Sequence, residues 1–219
     1  MTPGSICRIR IGRISGTALL TFAIASAFTG CLSRPPLNTQ TFAFGAPVLN
    51  PTNVVTGDRA LRIRSLHIAP PFDARLLVYR TGEFSYQRDP YAGFAASPSD
   101  ELVGPICGLL RGGGCFQSVV EPGSAVKPDT LAEIGITQLY GDIRKPESPL
   151  AVLALDVRFF DITNGLPGRI LLQRSYSRSL PVNSTSPAAL MAGWTQALAG
   201  IFAEVNSDFR RCEGENPAR

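Results

Sequence analysis

The amino-acid sequence predicts a single α/β domain, with a mixed, largely antiparallel sheet and packed helices, after an N-terminal targeting segment. Three observations lead to this prediction. Strand-like stretches outnumber helical ones from Leu61 onward, two helical stretches carry clear capping residues, and no internal repeat or second linker divides the rest of the chain. The chain has 219 residues, of which 44% are hydrophobic, and this is enough to form one hydrophobic core. The composition therefore excludes a disordered tail or a coiled coil.

The first thirty residues have the three-part organisation of a signal peptide. Arg8, Arg10 and Arg13 precede an uncharged stretch over residues 14–29. This stretch has the length of a signal-peptide core and is shorter than the ~20 apolar residues that span a bilayer. An uncleaved anchor helix is the alternative. We therefore assign residues 1–30 to a signal peptide.

Cys31 closes a segment, Phe28-Thr29-Gly30-Cys31, that resembles the bacterial lipobox, whose cysteine is acylated and becomes N-terminal. Gly30 fits the pattern, whereas Phe28 stands where leucine is usual. Two or three acyl chains such as palmitate, at about 0.8 kcal/mol per buried methylene, anchor a protein stably. Leu32 in place of Asp resembles sorting to the outer membrane rather than retention at the inner one. We expect a bacterial envelope lipoprotein with a periplasmic body.

The basic charge of the chain is concentrated in the signal peptide. The formal net charge is +4, but the residues after position 30 hold 18 basic and 17 acidic side chains. Nucleic-acid binding needs a clustered basic face that neutralises phosphates, and the mature sequence offers none. The charge pattern excludes that class of function.

Strand patterns dominate the mature chain. Residues 31–60, rich in Pro, Asn, Thr and Gly, predict a lipidated N-terminus and flexible tether with one short strand near Thr41–Phe44. In residues 151–161, apolar and polar positions alternate as on a half-buried strand. The predicted domain strands are Arg62–Ile68, Leu76–Arg80, Phe84–Gln87, Cys115–Val120, Leu131–Gly141, Ala151–Asp161 and Arg169–Leu180.

Two helices are predicted from their caps. Ser97 and the acids that follow it begin a helix that ends near Gly112, and Ser186-Pro187 begins the last helix. Trp194 lies on the apolar stripe of that last helix and is expected in the core. The domain is expected over residues 61–212, followed by a flexible tail over 213–219.

The cysteines and the lone histidine do not predict a metal site. Cys107 and Cys115 flank a Gly-rich turn, where they form either a local disulfide or two buried thiols. No CxxC is present and His67 is the single histidine. A zinc site is therefore not expected.

No catalytic residues are predicted. The serine-hydrolase motif G-x-S-x-G is absent, and the glycines at 112–114 precede a strand and lack the Lys-Ser/Thr of a phosphate-binding loop. His67 lies in mid-strand, with a structural or solvent-facing role, and Asp156 and Asp161 lie on a solvated sheet face. We expect a protein that is not an enzyme and needs no cofactor.

The ordered blocks of the mature chain resemble the ABC-type transport auxiliary lipoprotein family, the PqiC-like group. The resemblance covers residues 61–210, with Phe94 standing where such proteins often carry Trp. The blocks are LRIRSLHIAPPFDARLLVYR (61–80), EFSYQRDPYAGFAASPSDEL (83–102), GGCFQSVVEPG (113–123), ALDVRFFD (154–161) and LLQRSYSRSLPV (171–182), before a closing amphipathic helix.

The resemblance implies a non-enzymatic lipoprotein that works with an ABC transporter permease and ATPase and with a mammalian-cell-entry (MCE) domain protein. Such systems are linked to lipid traffic between the two membranes and to membrane integrity. It also implies a fold like the anticodon-binding or TolB amino-terminal α/β domains, and ring-like self-association.

Two functions from different classes remain open. A structural adaptor would dock its partner through a surface patch, whereas a lipid carrier would need an apolar cavity of several hundred Å3, as is typical of ligand sites. One aromatic-rich segment could serve as a partner or lipid contact in either case, and ordinary core packing is its alternative. Its residues are Phe84, Tyr86, Tyr91 and Phe94.

Overall fold

A computed structural model of the chain describes residues 39–45, 57–120, 124–165 and 168–215. The predicted signal peptide and the proposed lipidation site at Cys31 lie outside these residues. Within them the chain forms eight strands and two helices, which confirms the α/β class. The elements are β1 (Gln40–Phe42), β2 (Ala60–Ile68), β3 (Leu76–Arg80), β4 (Tyr86–Phe94), α1 (Pro98–Gly112), β5 (Ser118–Val120), β6 (Thr130–Asp142), β7 (Leu150–Asp161), β8 (Arg169–Pro181) and α2 (Pro187–Glu215).

All eight strands form one mixed sheet, and β6 is its organising strand. One edge of β6 pairs along its length with β7, and β7 pairs in turn with β8; both ladders are antiparallel. The other edge of β6 is shared. β2 pairs in parallel with its first part, from Thr130 to Ile136, and β3 pairs in parallel with its end, at Gly141 and Asp142. β5 extends the sheet beyond β2, and β4 and then β1 extend it beyond β3.

The helices cover one face of the sheet, here called the inner face. Ser97 caps α1 by accepting a hydrogen bond from the backbone N–H of Asp100, and Pro98 takes the first helical position. Ser186 caps α2 in the same way through the N–H of Ala189. Both predicted helix starts are therefore confirmed. Trp194 is fully buried on α2, as its place on the apolar stripe predicted.

The apolar length of α2 is explained by the core. Among the described residues, one helix, α2, is long enough and apolar enough to cross a membrane, as judged from its length and composition alone. An 18-residue stretch of this helix has a mean hydropathy of 1.2. Half of that apolar stretch is buried inside the domain, where Leu198, Ile201 and Phe202 are inaccessible or nearly so.

The domain is longer at both ends than the sequence predicted. Part of the expected tether belongs to it, since β1 adds a strand beside β4 and Phe44 is buried against Phe94, with ring centroids 5.7 Å apart. At the other end α2 continues to Glu215, so the expected tail over 213–219 begins too early. Arg59 fixes this last turn through a 2.6 Å ion pair with Glu213.

Candidate contact surface

The β3–β4 hairpin carries most of the exposed aromatic surface that the structure describes. Five large hydrophobic residues are exposed in the described ranges, and three of them belong to this hairpin. Phe84 is 88% exposed, Tyr91 58% and Tyr86 43%. A largely exposed Phe on the same hairpin as two exposed Tyr is the composition of a contact surface.

Phe94, the fourth aromatic residue of the predicted contact segment, belongs to the core. Only 3% of it is exposed, because its ring lies between Phe44 and the indole of Trp194, whose centroid is 6.2 Å away. The parallel pairing of β1 with the end of β4 brings Phe44 there. Ordinary core packing, the alternative explanation for this aromatic segment, therefore applies to Phe94 and does not apply to Phe84 or Tyr91.

Tyr86 joins an aromatic cluster on the outer face, the side of the sheet away from the helices. Its ring meets those of Phe72 and Tyr140 edge-on, at centroid distances of 5.7 and 5.5 Å, and Phe72 stacks on Tyr140. The guanidinium of Arg80 lies 6.0 Å from the centroid of the Tyr86 ring. These contacts hold the turn end of the hairpin against the sheet.

The turn at the hairpin tip is fixed by hydrogen bonds. The N–H of Thr81 donates to the carbonyl of Ser85 at 2.9 Å. Arg80 donates through Nη2 to the carbonyl of Glu83 at 2.7 Å and through Nε to that of Gly82 at 3.3 Å. Because the turn backbone is held in this way, Phe84 projects from a braced loop.

A polar cleft of about 410 Å3 opens on the outer face, across β2, β6, β7 and β8. One row of registered neighbours runs across all four strands, from His67 through Gly135 and Asp156 to Ser175. Gly135 forms the floor, since a Cβ there would lie 2.8 Å from His67 Nε2. The hydroxyl of Ser175 donates to Asp156 at 2.6 Å.

The next row of the cleft is charged and paired. Arg158 lies 3.4 Å from Glu133, and Arg64 approaches the other oxygen of Glu133 at the same distance. Gln173 completes the row beside Arg158. Such a lining suits a polar partner and is unfavourable for an acyl chain, because the chain would desolvate charged groups without pairing them.

The residues considered for catalysis have separate environments. His67 and Asp156 are exposed in the polar cleft, as the sequence predicted for solvent-facing strand positions. Asp161 differs, because its side chain is 14% exposed and pairs with Arg59 at 3.4 Å. Burial raises the pKa of Asp161, but hydrogen bonds from Thr163 and the charge of Arg59 outweigh it and hold the pKa below its usual value. The described residues contain no group of three His, Cys, Asp or Glu able to hold a metal ion.

Cys107 and Cys115 are both buried and are not joined by a disulfide bond, so the disulfide alternative does not describe this structure. Cys107 is enclosed in α1, whereas the Cys115 thiol faces α2, donating to the carbonyl of Asn206 at 3.2 Å. Arg210 donates to the same sulfur at 3.3 Å. Burial raises the pKa of Cys115 even though this guanidinium opposes the shift, so the thiol stays protonated.

The polar cleft was not foreseen from the sequence. Its only sequence signal is the set of polar residues at alternate positions of the last two long strands, including Asp156, Arg158, Gln173 and Ser175. That alternation predicts a solvated face, but the register that brings these residues beside His67 and over Gly135 cannot be deduced from it.

No family model matches the chain, and no curated protein matches it. A crystal structure from Xanthomonas campestris, described as a DUF330 protein, has a TM-score of 0.67 at 19% identity and covers 81% of this chain and 99% of its own. An uncharacterised protein follows, with a TM-score of 0.62 at 12% identity, over 78% of this chain and 98% of its own. At these identities the likeness shows the fold alone.

A lipoprotein from Neisseria meningitidis is a more distant structural neighbour. Its TM-score is 0.36 at 12% identity, over 67% of this chain and 99% of its own. A score this low does not establish a shared fold.

Proposed function

We propose that this protein is a bacterial envelope lipoprotein that serves as a non-enzymatic adaptor in a lipid transport system, beside an MCE-domain protein and an ABC transporter. The lipobox-like segment ending at Cys31 and the ordered blocks of the mature chain support this proposal. The fold shared with a DUF330 protein is compatible with it. An outer-membrane location facing the periplasm, which Leu32 favours, and self-association into a ring belong to the same proposal.

The observation that carries the adaptor role is the character of the outer face. The cleft of about 410 Å3 has the volume of a ligand site, but charged and amide side chains line it, notably Glu133, Arg158 and Gln173. A carrier of acyl chains needs an apolar lining. An open face lined by charged and amide side chains instead suits hydrogen bonds and ion pairs with another protein.

Affinity capture of the tagged, full-length protein from gently solubilised envelopes tests this proposal. Mass spectrometry of the captured proteins and lipids is expected to recover an MCE-domain protein or its ABC partner. Arg158→Glu, which places a second carboxylate beside Glu133 in the cleft, is expected to lower that recovery. Lys127→Glu makes the same charge change at an exposed position outside the cleft lining and serves as the matched control.

Two results would contradict the adaptor role. Capture that brings down no transporter component, even after crosslinking, removes the main support for a transport function. Phospholipid that stays bound through purification of the Cys31→Ala form would instead favour a carrier, because that form has no acyl anchor of its own to retain lipid.

A further inference from the structure

The exposed tip of the β3–β4 hairpin lies on the side of the domain from which the membrane tether arrives. β1 pairs in parallel with β4, so that Gln40 is beside Ala92 and Phe42 beside Phe94. The chain therefore enters the sheet from the direction of Tyr91. From there β4 leads back through Tyr86 to the turn that carries Phe84.

The tether is short enough to keep this side near its anchor. Gln40 lies nine positions after Cys31. A fully extended chain covers at most about 3.3–3.6 Å per residue, so this segment reaches about 30 Å. A domain held on so short a tether by an acylated Cys31 presents the face around β1 and the β3–β4 hairpin to the lipid surface.

The chemistry of the tip fits the boundary between lipid and water. Phe84 is 88% exposed on a turn braced by Arg80, and Tyr86 and Tyr91 offer amphipathic rings on the same hairpin. Aromatic residues of this kind are enriched where membranes meet water. Electrostatic attraction to anionic lipids has little part in this contact, because the charges of the hairpin cancel. It carries two arginines, Arg80 and Arg88, and two acids, Glu83 and Asp89.

We propose that the tip of the β3–β4 hairpin, with Phe84 at its apex, inserts into the interface of the membrane that holds the lipid anchor. This inference rests on the lipidation of Cys31 in the proposed function. The hairpin acts as a second, weaker contact that fixes the orientation of the domain. The polar cleft on the outer face is then left free for the protein partner.

Site-specific fluorescence in vesicles tests this contact. The chain contains one tryptophan, Trp194, which is fully buried and gives a constant background. Phe84→Trp is placed in the full-length lipidated protein and reconstituted into phosphatidylcholine vesicles whose acyl chains carry bromine. We expect a blue-shifted emission and quenching several-fold greater than in the wild type, unchanged when part of the lipid is anionic.

Ile170→Trp is the matched control. Ile170 is 52% exposed on β8 and pairs with Phe160, near the strand ends that adjoin Thr130. The hairpin adjoins the other end of β6, at Asp142, which is about 40 Å away at ~3.3 Å per strand residue. We therefore expect Ile170→Trp emission to stay red and unquenched.

The outcomes separate the hairpin from the anchor. Protein that floats with the vesicles while Phe84→Trp is quenched no more than Ile170→Trp overturns the hairpin contact and leaves the anchor intact. Protein that does not float overturns both. A blue shift that appears only when envelope proteins are added assigns Phe84 to a protein partner and likewise overturns the membrane contact. The transport role is tested separately, by capture.

Discussion

The indole Nε1 of Trp194 on α2 donates a hydrogen bond to the carbonyl oxygen of Tyr140 on β6, at 3.3 Å. The ring of Tyr140 stacks with Phe72 in the aromatic cluster of the outer face. A single side chain thus connects the helical layer to the strand that supports the turn end of the β3–β4 hairpin.

Truncation of this side chain is expected to be costly. Trp194→Ala removes a fully buried indole and should lower the free energy of unfolding by about 3–5 kcal/mol. Trp194→Phe keeps an aromatic ring beside Phe94 but loses the hydrogen bond, and should cost less. Urea unfolding followed by circular dichroism measures both, and a near-neutral Trp194→Ala would remove Trp194 from the core.

One glycine just after α1 and one in its middle are expected to respond differently to alanine. A Cβ at Gly113 would lie 2.2 Å from Cγ of the buried Asn206, so Gly113→Ala should destabilise by about 1–3 kcal/mol. Apart from its chain neighbours, nothing lies within 4 Å of a Cβ at Gly104, and the gain in helix propensity there is opposed by Pro105, which follows it. Gly104→Ala should therefore change the stability by less than about 1 kcal/mol. Thermal unfolding compares the two, and equal shifts would contradict the predicted clash.

Asp208 makes stability depend on acid pH. Burial raises the pKa of Asp208, but hydrogen bonds from Arg174 and Tyr176, at 2.6 and 3.0 Å, outweigh it and lower the pKa below its ordinary 3.8. Because the folded pKa is the lower one, this contribution is complete above the unfolded value and is lost as pH falls through the folded value.

Denaturant unfolding between about pH 6 and pH 2 measures this dependence. Asp208→Asn should be less stable at neutral pH, by about 1–3 kcal/mol, and should lose stability less steeply in acid than the wild type. Asp142 and Asp161 also have lowered pKa values and remain in both proteins, so the difference between the two curves isolates Asp208. Parallel curves would assign the acid sensitivity elsewhere.

Cys31 is expected to determine where the protein fractionates. Cys31→Ala removes the acylated side chain and should move the protein from the membrane to the soluble periplasmic fraction, because two or three acyl chains supply the stable anchoring. Cys212→Ala, a partly exposed cysteine of α2, is the control and should stay with the membrane. Continued membrane association of Cys31→Ala would contradict the anchor.

Cys107 and Cys115 are expected to remain thiols. Alkylation of the denatured, unreduced protein followed by peptide mapping should label both residues, and a reductant should leave the melting temperature unchanged. In the native protein the buried, protonated Cys115 should react slowly, whereas the partly exposed Cys212 should react first. A Cys107–Cys115 peptide recovered as a disulfide would contradict this prediction.

Local signals in the sequence predicted local structure well. Ser97 and Ser186 cap their helices as expected, because a capping hydroxyl acts on backbone N–H groups two or three residues away. The apolar stripe of α2 correctly placed Trp194 in the core. The alternating pattern of β7 likewise matched its buried and exposed faces around Asp156 and Arg158.

Features that depend on distant pairings were not predicted. In the sequence, Phe94 was not distinguishable from Tyr91, which belongs to the same aromatic segment. Phe94 is buried because the pairing of β1 with β4 brings Phe44 against its ring. The polar cleft depends on the register that aligns His67 with Gly135. Sequence patterns indicate which face of a strand is buried, but they do not specify which strand becomes its neighbour.

The shared edge of β6 has a consequence for how the domain is made. β2 and β3 both take β6 as their parallel neighbour, and Leu61 meets its partner Thr130 only 69 positions later in the chain. Assembly of the sheet therefore involves long-range loop closure, which is slow, and it waits until β6 has been synthesised. A nascent or truncated product that stops before Thr130 leaves the β6-facing edges of both strands unpaired, with backbone groups open to aggregation. The N-terminal half thus cannot complete its sheet until β6 is made, and an incompletely folded chain is the form that can still be threaded across a membrane.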